Sequence, residues 1–131
     1  MAVIGWAARA LVAFGLLGSA WVHLVVWRDW ARYTDVVGPL FLVNVVAGPV
    51  IALGVLAWRR HWLPEVASIG FGLATLGAYV MSLTVGFFDV KEQFRTDEET
   101  WGVVTEAACV AFGAVLLLLR YRAERREVVR V

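Results

Sequence analysis

Two ionisable side chains stand inside otherwise apolar runs: His23 in "GSAWVHLVVWRDW" and Glu106 in "WGVVTEAACV". Placing a strongly charged side chain in hydrocarbon costs about 2.5–3.5 kcal/mol on insertion scales, so each is a reason to look for chemistry. An imidazole and a carboxyl can exchange a proton, orient a ligand, or hold two helices together through one hydrogen bond. His23 lies five residues before the polar boundary at Arg28, and Glu106 five residues after the one at Trp101. At about 1.5 Å of rise per residue, both sit roughly 7 Å below the same face of a membrane.

Other polar groups reach that level. Asn44 is six residues past Gly38, and Tyr79, Ser82 and Thr84 occupy the corresponding half of the third apolar run, with Asp89 just beyond it. All four runs therefore offer a polar group to one half of a bundle, and the other half has almost none. Trp21 lies more than one turn inside the first run, beside His23. With Trp27, Trp30, Tyr33, Phe87, Phe88 and Trp101 it could line an apolar slot closed by His23 or Glu106. A mostly apolar pocket with a few aimed polar groups is the ordinary form of a small-molecule site, and a quinone or a lipid headgroup suits this chemistry.

Several classes of chemistry find no support. The second histidine, His61, falls on the opposite side of the membrane from His23, which excludes bis-His haem ligation within one chain. His23, Glu106 and Asp89 are a thin set for any metal. The single cysteine, Cys109, is mid-run and reads as a small buried apolar side chain without a C-x-x-C partner. No phosphate loop, nucleophile elbow or zincin motif is present, so the chain reads more readily as a non-enzyme.

What must position these residues is a membrane. The 131 residues are 61% hydrophobic, with mean hydropathy +0.74, above the roughly half-apolar make-up of soluble domains. Four apolar runs, 10–27, 38–58, 66–88 and 101–119, each approach the ~20 residues needed to cross the hydrocarbon core. The expectation is a single all-α domain, a polytopic up-down antiparallel bundle of four transmembrane helices with a basic tail at 120–131. The first run follows Arg9 without an A-x-A-like cleavage site and is read as a retained helix.

Charge orients the bundle. Four spans put both termini and the middle loop on one side, with Arg9, Arg59, Arg60, Arg120, Arg122, Arg125, Arg126 and Arg130; the other side has only Arg28, Arg32, Lys91 and Arg95, among many carboxylates. The positive-inside rule places the termini in the cytoplasm of a plasma-membrane protein and the acidic loops outside. The net charge of +1 says little until it is divided by loop; no nucleic-acid partner is expected, lipid is the expected environment, and the basic tail is read as an orientation anchor drawn to anionic lipid.

Within the spans, Pro49 should kink the second helix near Gly48, with Asn44 one turn earlier as a group to satisfy the freed carbonyl. Gly70, Ala74 and Gly77/Ala78 form a small-residue stripe expected at a helix contact, inside the chain or with another copy. In the loop "DVKEQFRTDEET" a short amphipathic turn around Val90 and Phe94 and a "TDEE" cap are expected.

The segments "GLLGSAWVHLVVW" and "GPLFLVNVVAGPVIALGVLAWRR" resemble the first two helices of small DoxX-like membrane proteins. The likeness covers the first half of the chain, and the Arg-rich, Lys-poor, Ala/Val-rich composition is similar to that of small membrane proteins of high-GC actinobacteria. The resemblance implies a four-helix membrane subunit associated with redox or quinone-linked complexes, often without an activity of its own, and carries over no catalytic motif. Taken together, these readings point to a non-enzymatic membrane subunit or quinone/lipid-binding module, with a membrane-protein partner or as a homo-oligomer. The alternative is a homo-oligomeric proton-coupled transporter or channel in which His23 and Glu106 bind the proton. A third class, an enzyme with His23 as general base, lacks a nucleophile or cofactor motif.

Overall fold

In the computed structural model, which describes residues 2–91 and 97–131, the chain is helical almost throughout. Helix α1 spans Ala2–Asp29, a 3-10 turn Ala31–Tyr33, α2 Val37–Ala57, α3 Leu63–Thr84 and α4 Asp97–Arg130. Each of the four long helices has the length and composition to cross a membrane.

Local chemistry sets their ends. Thr34 joins the 3-10 turn to α2, its Oγ1 donating to the Ala31 carbonyl (2.6 Å) and accepting the Gly38 N–H (2.8 Å). Pro64 enters in the first turn of α3, where its missing N–H has no helical partner to lose. Asp97, Glu98 and Glu99 open α4, a favourable end of the helix dipole for carboxylates.

The boundaries differ from the apolar runs in three places. Helix α1 begins at Ala2, eight residues before the hydropathy edge expected at 10, and α4 continues through the basic segment 120–130 as helix rather than as a separate tail. Charged residues with good helix propensity extend a helix that apolar packing has nucleated. The third helix ends at Thr84, so 85–88 leave it instead of completing it. There Gly86 (φ 88°), Phe88 (φ 45°) and Asp89 (φ 65°) take left-handed backbone. Phe87 and Val90 exchange backbone hydrogen bonds of 2.8 and 2.9 Å across the Phe88–Asp89 turn, whose two positive-φ residues match a mirror-image hairpin turn. Of the amphipathic turn expected in this connection, Val90 is in that hairpin; Phe94, and Thr96 of the "TDEE" cap, lie outside the described residues.

Helix α1 packs on both α2 and α4, and α3 packs on α4, whereas α2 and α3 meet only sparsely. The core holds Val12, Leu16, Val55, Phe71, Cys109 and Leu116. Two glycines set how closely α4 is approached: a Cβ at Gly15 of α1 would lie 2.7 Å from the Thr105 carbonyl oxygen, and one at Gly72 of α3 2.7 Å from that of Glu106. The small-residue stripe makes no close helix contact within the chain among the described residues. Gly70 and Gly77 have nothing within 4 Å of where a Cβ would stand, and Ala74 and Ala78 border a cavity. The outward faces are apolar as well, with Phe14, Val43, Val46, Val50, Leu53 and Leu73 all exposed.

Candidate functional site

Two polar levels interrupt the apolar core. At the first, His23 Nδ1 lies 2.8 Å from the Ser19 carbonyl oxygen one turn earlier on α1. A carbonyl can only accept, so Nδ1 carries the proton and donates it, which leaves Nε2 as the acceptor of the neutral ring. Nε2 faces Glu106 Oε1 of α4 at 3.9 Å. Ser19 Oγ donates to the same carboxyl oxygen at 3.3 Å. The His23 ring is held edge-on to Phe41 of α2, centroids 4.7 Å apart.

Beside this pair the helices part around a cavity of about 660 Å³. Its wall is largely apolar and aromatic: Val22 and Trp30 near α1, Phe41 and Ala47 on α2, Phe71 and Ala78 on α3. Tyr79 and Ser82 add hydroxyl groups from α3. Asn44 projects from α2 into the same space and is only 6% exposed, yet neither atom of its amide has a hydrogen-bond partner among the described residues. Its amide does not cap the carbonyl freed by Pro49, as the sequence led one to expect, and α2 remains helical through that proline. Phe87 and Val90 of the hairpin turn stand over one end, and Lys91, Glu98 and Glu99 mark the mouth. The lining residues Leu40, Val43 and Ala74 are themselves exposed, so the cavity also opens sideways along the sparse α2–α3 seam.

Of the residues singled out in the sequence, His23, Glu106, Asn44, Tyr79 and Ser82 thus border one cavity. Trp21 points away and is 64% exposed; Trp27 is not part of the wall, and Asp89 is exposed in the turn. Trp21, two residues before His23, is carried to another face of α1; Trp27, four residues after it, keeps the His23 side but stands one turn further along, outside the wall. Of the proposed aromatic slot, Trp30 and Phe87 line the cavity, while Tyr33, Phe88 and Trp101 face outward. Ser19 and Phe41 were not singled out, although helical spacing carries the signal: Ser19 is four residues before His23 and Phe41 three before Asn44. Among the described residues, no group of three or more His, Cys, Asp or Glu side chains could hold a metal ion.

The second level is an ion cluster that sequence reasoning missed. Glu65 of α3 is 1% exposed. Its Oε1 accepts from Arg9 of α1 (3.2 Å) and Arg120 of α4 (2.8 Å), and its Oε2 accepts from Arg120 Nε at 3.2 Å. Arg9 also donates to the Val55 carbonyl (2.8 Å), and Arg120 to the carbonyls of Arg59, Arg60 and His61. One carboxylate and two guanidiniums thereby tie all four helices and the α2–α3 connection together at this level. Comparison of the chain with protein-family models, with curated proteins and with solved structures gives no match.

Proposed function

We propose that the chain is a plasma-membrane protein of four antiparallel transmembrane helices, with both termini cytoplasmic, that binds a small amphiphilic molecule in the outer half of its bundle. Neighbouring-helix contacts support the up-down arrangement: Arg9 near the start of α1 meets Val55 near the end of α2, and His23 near the end of α1 meets Phe41 near the start of α2. The apolar outward faces fit lipid, where no exposed polar backbone is tolerated and helices satisfy their own. The bias of arginine towards the Glu65 level fits the cytoplasmic side.

The observation that carries the reading is Asn44. A buried amide without partners costs about 1–3 kcal/mol and is kept where it serves something other than the empty fold. It opens into a cavity of ligand size whose remaining wall is apolar, next to an imidazole and a carboxyl. A lipid-like or quinone-like molecule, entering sideways through the α2–α3 seam, meets the polar groups with its head and lipid-facing residues with its tail. The Glu65 cluster closes the other level of the bundle, which favours a binding module or subunit over a continuous channel. This is also the role that a DoxX-like affiliation implies.

Asn44→Leu tests the reading. If the amide serves a ligand, the variant melts no lower than wild type in detergent, and the thermal stabilisation that a short-chain benzoquinone or a neutral amphiphile gives wild type disappears. A variant that unfolds several degrees lower and still responds to these molecules would assign Asn44 to the scaffold instead.

A further inference from the structure

We infer that the head group this cavity takes is a lipophilic amine in its ammonium form, bound in exchange for a proton carried by the His23–Glu106 pair. The inference rests on the binding reading above and sharpens it to one chemical class.

The geometry begins with the tautomer. Because His23 Nδ1 donates to the Ser19 carbonyl, the neutral ring turns a lone pair towards a carboxyl oxygen 3.9 Å away. Two acceptors facing one another in an apolar wall repel, and although Ser19 Oγ donates to the same carboxyl oxygen, a proton held by the pair removes the remaining repulsion. The same place suits a different positive group. A primary ammonium has three N–H donors, and three acceptors border the cavity: the Glu106 carboxylate, His23 Nε2 and the oxygen of the Asn44 amide, whose own NH2 is likewise without a partner among the described residues. When the ammonium enters and the proton leaves to the outside water, the charge of the site is unchanged, so no net charge is added to an apolar interior.

The rest of the wall points the same way. Phe41, Phe71, Tyr79, Trp30 and Phe87 line the cavity, and aromatic rings attract cations more strongly where water is excluded. Among the described residues, the ionisable groups facing the site beside Glu106 are His23 from α1, Tyr79 from α3, Lys91 from the connection, and Glu98 and Glu99 from α4; α2 contributes the neutral Asn44. At the mouth stand Lys91, Glu98 and Glu99, and the loops and helix ends on this side carry Asp29, Asp35, Asp89 and Asp97 against Arg28 and Arg32. A field of that sign concentrates cations before they bind. A neutral quinone would also use Asn44 and pack on the rings, but it has no positive charge to pair with the Glu106 carboxylate.

Biphenylmethylamine and biphenylmethanol, alike except for the head, provide the test on the purified full chain at neutral pH. The amine is expected to bind about tenfold more tightly than the alcohol, as a charge-assisted hydrogen bond and cation–π contacts allow. In weakly buffered solution the wild-type chain should release about one proton per amine bound and none per alcohol. Glu106→Gln should bring the amine down to the affinity of the alcohol while the alcohol still binds, which also reports that the variant is folded. The proton count needs no variant and decides the matter alone if Glu106→Gln does not fold. Equal affinities, or amine binding without proton release, would overturn the ammonium assignment. Binding of the alcohol alone would overturn it too, yet leave the amphiphile reading standing; binding of neither would remove both.

Discussion

At the scale of single residues, the two buried carboxyls of the core have opposite settings. Glu106 has an imidazole and a serine hydroxyl beside the large cavity; Glu65 is held by two guanidiniums. Removing one member of a buried ion cluster costs about 3–5 kcal/mol, because the charges left behind lose their partner. Glu65→Gln should therefore lower the thermal midpoint of the detergent-solubilised protein far more than Glu106→Gln, by a margin that a melting curve resolves easily; a loss no larger than that of an exposed Glu124→Gln control would refute the tie between the four helices. His23 and Glu106 were legible in the sequence because an ionisable group in an apolar run is conspicuous. Glu65 was not, since directly after Pro64 and close to Arg59 and Arg60 it reads as an ordinary first-turn carboxylate. Its meaning comes from Arg9 and Arg120, 56 and 55 residues away in the chain, a separation over which no local pattern carries information.

At the scale of elements, hydropathy located four helices but not how they touch. The stripe Gly70, Ala74, Gly77/Ala78 has the spacing of a packing face, yet the close approach to α4 is made by Gly72, two positions from either Gly70 or Ala74 and so on another face of the helix. Small residues permit contact without requiring it, and which face is used depends on the neighbouring helix. The contrast is measurable. Gly72→Val forces a side chain against the Glu106 backbone and should destabilise by about 1–3 kcal/mol, whereas Gly77→Val enters open space and should leave the melting temperature almost unchanged. Equal effects at the two positions would mean that α3 is rotated relative to α4. The same limit explains the third helix: 85–88 are apolar enough to continue it, but Gly86 and the Phe88–Asp89 turn redirect the chain over the cavity, and hydropathy cannot separate a turn from a last helical turn.

At the scale of the whole molecule, the proposed orientation makes a plain prediction. In a Cys109→Ala background, a cysteine at Asp35 should react with a membrane-impermeant maleimide on intact cells and one at Glu124 only after the membrane is opened; the reverse pattern would invert the assignment of the acidic loops to the outside. The unequal pairing of the helices bears on synthesis as well. Helices α1 and α2 can pair as soon as both have left the ribosome, but α3 meets α2 only sparsely and finds its main neighbour in α4, the last to be made. Until α4 arrives, Glu65 lacks Arg120 and Gly72 has no backbone to rest against, so a chain stopped after residue 91 presents α3 as an orphan to the quality-control proteases of the membrane. Supplying 97–131 as a separate polypeptide should rescue it, making the final helix the one that decides whether a newly made copy is kept.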